Sequence, residues 1–117
     1  MTNYIEPVEE LSNADRDIHR ALNSLKEEIE AIDWYHQRAA ATTEQEIKTV
    51  LTHNLQEEIE HASMILEWLR RNMDGWDENL KTYLFTNEPI GEIETSGKST
   101  KSEKSGDLGI GSLKESF

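Results

Sequence analysis

Three side chains in the 117-residue chain have the types and spacing of metal ligands. With Ile47 at zero and about 100° per residue, Glu58 falls at about 20° and His61 at about 320°, inside an arc of apolar positions. Glu28 falls at about 240° when Leu22 is set at zero, next to the apolar arc of an earlier segment. A carboxylate in an apolar interface costs several kcal/mol unless it is paired or binds a metal. We therefore expect these three residues to bind a divalent cation.

The spacing of Glu58 and His61 indicates which kind of metal site this is. A Glu-x-x-His pair with one further Glu from a neighbouring helix is half the ligand set of a di-iron carboxylate site. A two-fold dimer would supply a second Glu28, Glu58 and His61. The four carboxylates would then balance the charge of two divalent cations, whereas without metal they would repel one another and take up protons or move apart.

Three other interpretations of the same residues stay open. A single Glu-x-x-His is a weak motif that is often a surface pair. A second alternative is a buried polar network of the three residues that sets helix pairing in a non-enzymatic assembly module. Carboxylate and imidazole also suit Mn²⁺ or Zn²⁺, so ligand type does not select iron. Asn54 is interpreted as a polar residue that fixes register, and His53 as a surface residue.

The candidate ligands lie on two long segments with helical periodicity. The first helix is predicted from about Pro7, or alternatively from Asn13, to about Arg38. Its apolar residues recur at steps of seven, four and three, as expected of one helix face. They are Leu11, Ile18, Leu22, Leu25, Ile29 and Ile32.

A second helix and a short third helix follow. Residues 39–42 are predicted to break the chain, and Thr43 with Glu46 forms a capping box that opens the second helix. That helix should end near Asn72, and residues 74–83 form a short third helix. Because the first connection is short, the two long helices should be antiparallel neighbours in an all-α fold.

Composition restricts the partners of this fold. The chain has 24 acidic and 12 basic residues and a net charge of −12, which argues against nucleic-acid binding and favours cations. A hydrophobic content of 35% is low for a private core, so a second copy is expected to cover one apolar face. The lack of cysteine excludes thiolate sites. We also expect a cytosolic protein without a secretory signal or a membrane span.

The charge and the glycines divide the chain into three parts. Residues 1–94 carry −13 and should form the helical domain. Residues 95–107 contain no apolar side chain and are predicted to be a flexible linker. Residues 108–117 begin with the short apolar sequence LGIGSLK, which is expected to dock onto another protein.

Four stretches of this sequence resemble the encapsulated ferritins. Residues 27–35 (EEIEAIDWY), 57–62 (EEIEHA) and 67–72 (EWLRRN) resemble the body of these proteins. The terminal LGIGSLK of residues 108–114 is similar to the cargo-loading peptides that dock proteins inside encapsulin shells.

The resemblance implies a two-helix ferritin-like protomer that dimerises into a four-helix bundle with a di-iron ferroxidase centre between two subunits. Glu28, Glu58 and His61 match the iron ligands, with Glu58 bridging the two irons, and Tyr35 matches a tyrosine close to the centre. The substrates would be Fe²⁺ and O₂.

The resemblance also implies further sites and partners. Glu27, Glu30 and Trp34 match the place where iron enters or a secondary metal site. Five dimers would form an open ring of ten subunits, which has no cavity for mineral. Residues 108–114 would bind the encapsulin shell protein, so that the Fe³⁺ is stored inside an encapsulin nanocompartment in the cytoplasm of a prokaryote.

Overall fold

A computed structural model describes residues 4–93, which are all-α as predicted. A 3₁₀ turn at Val8–Glu10 precedes three helices, which are α1 at Asn13–Ala41, α2 at Gln45–Asn72 and α3 at Trp76–Tyr83. The chain divides into two units between Trp76 and Asp77. The predicted linker (95–107) and docking peptide (108–117) lie outside the described residues, so that division of the chain stays a prediction.

A capping box at Ser12 fixes the start of α1. The Ser12 hydroxyl accepts a hydrogen bond from the Asp15 amide at 3.0 Å, and the Ser12 amide donates to the Asp15 carboxylate at 3.4 Å. This reciprocal pair satisfies two amides that a helix start leaves unpaired. The alternative start at Asn13 is therefore confirmed, and Pro7 instead caps the 3₁₀ turn.

The first helix continues past the predicted break. It ends at Ala41 and not near Arg38, and the Thr42 amide still donates to the Arg38 carbonyl at 3.1 Å. The break predicted at residues 39–42 lies at 42–44 instead, because three consecutive alanines have the strongest helix propensity and extend the helix by almost one turn.

The start of α2 also differs from the predicted capping box at Thr43 and Glu46. The residue that caps the helix is Glu44, whose carboxylate accepts a hydrogen bond from the Ile47 amide at 2.7 Å. The longer acidic side chain reaches an amide three residues ahead and also places negative charge at the positive end of the helix dipole.

An ion-pair cluster marks the end of α2 at Asn72, where the sequence predicts it. Glu67 accepts hydrogen bonds from Arg70 at 2.8 Å and from Arg71 at 2.6 Å. These guanidinium groups lower the pKa of Glu67 to about 2. Both arginines also lie near the negative end of the helix dipole, where cations are favourable.

The two long helices pack against each other as an antiparallel hairpin. Glu28 precedes Ala41 by 13 residues and Glu58 follows Gln45 by 13 residues, so the turn brings the two carboxylates to the same level. This register positions the candidate metal site at mid-length of the hairpin.

Much of the apolar surface of the hairpin is exposed. Among the described residues Leu69 is the only large side chain that is fully buried. Exposed apolar side chains of α1 and α2 include Leu22, Ile29, Trp34, Ile47, Val50, Ile59, Met64 and Trp68. A single hairpin thus leaves apolar surface in water, as the low hydrophobic content predicts.

The third helix is shorter than the predicted range of 74–83 and begins at Trp76. Gly75 adopts a positive φ of 101°, which is incompatible with a helical turn. Trp76 donates its ring N–H to the sulfur of Met73 at 3.3 Å. Within residues 4–93, none of the helices combines the length and apolar character that crossing a membrane requires.

Candidate metal centre

The hairpin brings the three candidate ligands together. Glu28 lies on α1, and Glu58 and His61 lie one turn apart on α2. One possible ligand atom of each side chain lies within 4.8 Å of the other two. A group of this size, with two carboxylates and one imidazole, can surround one divalent cation.

Both carboxylates face the same nitrogen of the imidazole ring. His61 Nδ1 lies 3.4 Å from Glu58 Oε1 and 3.6 Å from Glu28 Oε1. The Glu28 and Glu58 side chains are each 24% exposed, and the His61 side chain is 49% exposed. The group is therefore open to solvent mainly on its imidazole side.

One oxygen of Glu28 is unsatisfied. Glu28 Oε1 is buried, and it has no hydrogen-bond partner among the described residues. A buried acceptor without a partner costs on the order of 1–3 kcal/mol, and more when it is charged. A cation between the two carboxylates and His61 Nδ1 would satisfy this oxygen, so the donor set fits a metal.

The electrostatics of Glu28 agree with this fit. Hydrogen bonding with the Glu58 side chain raises the pKa of Glu28, burial and the negative charge of Glu58 raise it further, and His61 lowers it in part. Two carboxylates this close favour a proton on one of them when no cation is present. A metal ion would take the place of that proton.

The other predicted site residues lie on α1 outside this group of three. Tyr35 is half-buried, and the guanidinium carbon of Arg38 lies 5.4 Å from its ring centre. Glu27 is exposed and accepts a hydrogen bond from Asn23 at 3.4 Å. Glu30 and Trp34 are exposed as well. The predicted roles of Tyr35, Glu27, Glu30 and Trp34 at the iron site therefore stay predictions.

Three further contacts of histidine and aromatic side chains lie outside the candidate metal centre. His53 is exposed and pairs with Glu57 at 3.1 Å, in agreement with its interpretation as a surface residue. The His19 ring stacks on Tyr4 with centroids 4.2 Å apart, which periodicity did not reveal because Tyr4 lies outside the helix. The Tyr35 and Arg38 contact was also missed, although a spacing of three on a helix is a signal for it.

The fold and the site together define a class. An antiparallel hairpin with one Glu on the first helix and Glu-x-x-His on the second has the residue types and spacing found in half of the ligand set of ferritin-like helix bundles. The EncFtn-like family model matches residues 3–87, and the chain belongs to this family. The resemblance seen in the sequence is thereby confirmed for the helical body.

Relatives in other organisms agree with this assignment. The chain is 59% identical over 110 residues to the "Ferritin-like protein" of Thermotoga maritima, covering 94% of this chain and 96% of that one. It is 49% identical over 120 residues to the "Encapsulated ferritin-like protein" of Rhodospirillum rubrum, covering 93% and 86%. A crystal structure of a Nitrosomonas europaea protein matches with a TM-score of 0.71 and 55% identity, covering 74% of this chain and 97% of that one. The chain therefore has a ferritin-like, iron-related function.

Proposed function

We propose that this protein is a ferroxidase that oxidises Fe²⁺ to Fe³⁺ with O₂ at a di-iron site formed between two subunits. The observation that carries the proposal is the convergence of Glu28, Glu58 and His61, whose ligand atoms lie within 4.8 Å of one another. Glu28 Oε1 supports it as well, because this buried oxygen accepts no hydrogen bond from the described residues and a cation would satisfy it.

A second copy of the chain would complete the site. One hairpin offers two carboxylates and one imidazole, which is half of the ligand set of a di-iron carboxylate centre. The exposed apolar residues of α1 and α2 give a second copy a surface to cover. The dimer would bring two half-sites together and bury those residues in a four-helix bundle. A ring of five such dimers is part of the proposal through the resemblance alone.

Each ligand has a distinct role in this scheme. Glu28, Glu58 and His61 Nδ1 would hold the iron ions, and the resemblance implies that Glu58 is the ligand that both ions share. Bound Fe²⁺ supplies the electrons and O₂ accepts them. Carboxylates stabilise the higher charge of Fe³⁺, and Tyr35, two helical turns from Glu28, would lie close to the centre.

The charge of the chain would assist iron delivery. Residues 1–94 carry −13, and an acidic surface raises the local concentration of cations. Glu27, Glu30 and Trp34 are exposed on α1 and would form the place where iron enters or a secondary metal site. Each role rests on the resemblance to the encapsulated ferritins.

The product would be stored in an encapsulin nanocompartment in the cytoplasm of a prokaryote. A relative that is 49% identical carries the name "Encapsulated ferritin-like protein". In this chain the sequence LGIGSLK at 108–114 would bind the shell protein, with residues 95–107 as the linker. The oxidised iron would then leave the helical body for the shell lumen.

Stopped-flow oxidation of Fe²⁺, followed by absorbance, tests the activity. The doubly substituted Glu58→Ala, His61→Ala variant should oxidise Fe²⁺ at least about tenfold more slowly than the wild type, because two of the three ligands of each hairpin are lost. The matched control is His53→Ala with Glu57→Ala, since this pair lies on the same helix and combines the same side-chain types at its surface. Equal rates for the wild type and the Glu58, His61 variant would refute the assignment.

A further inference from the structure

One exposed row of α2 contains both a metal-ligand candidate and a methionine. His61, Met64 and Trp68 are all exposed and follow one another at steps of three and four residues on this face, which we call the outer α2 row. Met64 lies one turn beyond His61, so their side chains are neighbours about 5–6 Å apart at Cβ. The methionine therefore lies directly beside the open side of the candidate site.

The occupant of the outer α2 row that best fits the structure is a second copy of the chain. The row includes His61, through which the half-site opens to solvent, and a half-site is complete only when a second set of ligands covers that opening. Met64 would consequently lie in the contact between the two copies. This step rests on the proposed function.

The two described methionines differ in their exposure to solvent and in the contacts of their sulfur atoms. Met64 is 64% exposed. Met73 is half-buried, and its sulfur accepts a hydrogen bond from the Trp76 ring N–H at 3.3 Å. Susceptibility to oxidation follows exposure, and a lone pair engaged in a hydrogen bond is less available to an oxidant. Residues 4–93 of the single chain thus contain one exposed thioether and one protected thioether.

We propose that Met64 is a peroxide-sensitive modification site that controls pairing of the two copies. Hydrogen peroxide transfers one oxygen atom to the Met64 sulfur, the peroxide O–O bond breaks, and water leaves. The thioether loses two electrons and becomes a sulfoxide, while the peroxide is reduced by two electrons. The reverse step belongs to the class of methionine sulfoxide reductases.

The sulfoxide changes the chemistry of the outer α2 row. It replaces a flexible apolar side chain with a polar one that must be desolvated when a second copy covers it. Oxidation in the separated state would therefore oppose pairing and leave the metal site half-formed. Peroxide that reaches the unpaired protein would lower the number of complete sites, and reduction would restore them.

Peptide mass spectrometry of the metal-free full-length protein tests the selectivity. After brief treatment with hydrogen peroxide, Met64 sulfoxide should accumulate several times faster than Met73 sulfoxide, and Trp76→Phe should accelerate oxidation of Met73 only. Equal rates at Met64 and Met73 in the wild type would overturn the proposed site.

Sedimentation velocity with Zn²⁺ as a redox-inert probe tests the consequence. Met64→Leu should pair like the untreated wild type and be insensitive to peroxide, whereas Met64→Gln, which mimics the polarity of the sulfoxide, should pair more weakly without any oxidant. Wild type that is fully oxidised at Met64 but pairs with unchanged affinity would overturn the control of pairing.

The outcomes separate this inference from the proposed function. If untreated wild type pairs with Zn²⁺ and oxidises Fe²⁺, but oxidation of Met64 has no effect, only the inference fails. If untreated wild type neither pairs with metal nor oxidises Fe²⁺, the proposed function fails, while the mass-spectrometric rates still report on the reactivity of Met64.

Discussion

Glu28 and Glu58 repel each other whenever both are ionised and no cation lies between them. The pKa of Glu28 is raised by hydrogen bonding with Glu58, by burial and by the negative charge of Glu58, and one buried Glu28 oxygen has no hydrogen-bond partner among the described residues. In the metal-free protein this arrangement costs stability, and in the metal-bound protein the same two charges contribute binding energy. The cost and the function thus come from the same pair of side chains.

The Glu28→Gln substitution should stabilise the metal-free protein and weaken its binding of metal. A carboxyl group with a raised pKa contributes stability below its ordinary pKa of about 4.5, and the contribution is lost as the pH rises through the raised value. Without metal at pH 7 the variant should therefore unfold at a higher temperature than the wild type, with a difference that shrinks toward about pH 4.5. Thermal unfolding in the presence of a chelator measures this.

With added metal the order of the two proteins should reverse. The variant lacks one anionic ligand, so its affinity for Fe²⁺ should fall by more than about tenfold. Glu60→Gln, at an exposed glutamate on α2 that is not among the proposed ligands, is the control and should change neither property. A wild type that is more stable than Glu28→Gln without metal at pH 7 would show that the two carboxylates do not oppose each other.

Helix angles were sufficient to select the three ligand candidates, because Glu58 and His61 fall within an apolar arc and Glu28 falls beside one. The angles do not say which ring nitrogen of His61 faces the carboxylates, or that Glu28 Oε1 lacks a partner. Those features depend on side-chain rotamers and on the distance between packed helices, which periodicity does not contain.

At the level of helices, the sequence predicted the number and order of the elements but not all of their ends. Helix interiors follow the apolar period over many residues, so α1 and α2 were predictable. An end depends on one or two local hydrogen bonds, and several residues compete for each. Ser12 and Glu44 supply those bonds here, and the alanines before Thr42 extend α1 by a turn.

Ser12→Ala should destabilise the metal-free protein by about 1 kcal/mol, because the Ser12 hydroxyl is the acceptor for the Asp15 amide in the capping box. Urea unfolding followed by circular dichroism measures the loss. Thr43→Ala is the matched control, since Thr43 lies in the turn and does not cap α2, and its effect should stay within about 0.5 kcal/mol. A larger effect of the Thr43 substitution would contradict the observed caps.

At the scale of the whole chain, charge and composition separate two roles. The acidic helical body contains the candidate site, and the polar stretch and apolar peptide after residue 94 carry a slight positive charge. The thin core of the body was predictable from the low hydrophobic content, and the structure shows the exposed residues that cause it. The number of copies that assemble depends on the geometry of contacts between chains, which the periodicity of one sequence does not contain.

Deletion of residues 107–117 should separate the two roles. The shortened protein should oxidise Fe²⁺ at the rate of the full chain, because the ligand candidates all lie in α1 and α2. It should no longer co-purify with an encapsulin shell protein expressed in the same cells, since it lacks LGIGSLK. Retained co-purification would show that another surface binds the shell, and a loss of oxidation would show that the tail contributes to the site.

In the proposed ferroxidase, two copies of the chain bind two iron ions through Glu28, Glu58 and His61. Anomalous scattering from crystals grown anaerobically with Fe²⁺, recorded above and below the iron absorption edge, is the decisive measurement. We expect two anomalous peaks between paired hairpins, each in contact with these side chains, that weaken strongly below the edge. Crystals without anomalous density at the three residues, or with peaks that persist below the iron edge, would contradict the proposal.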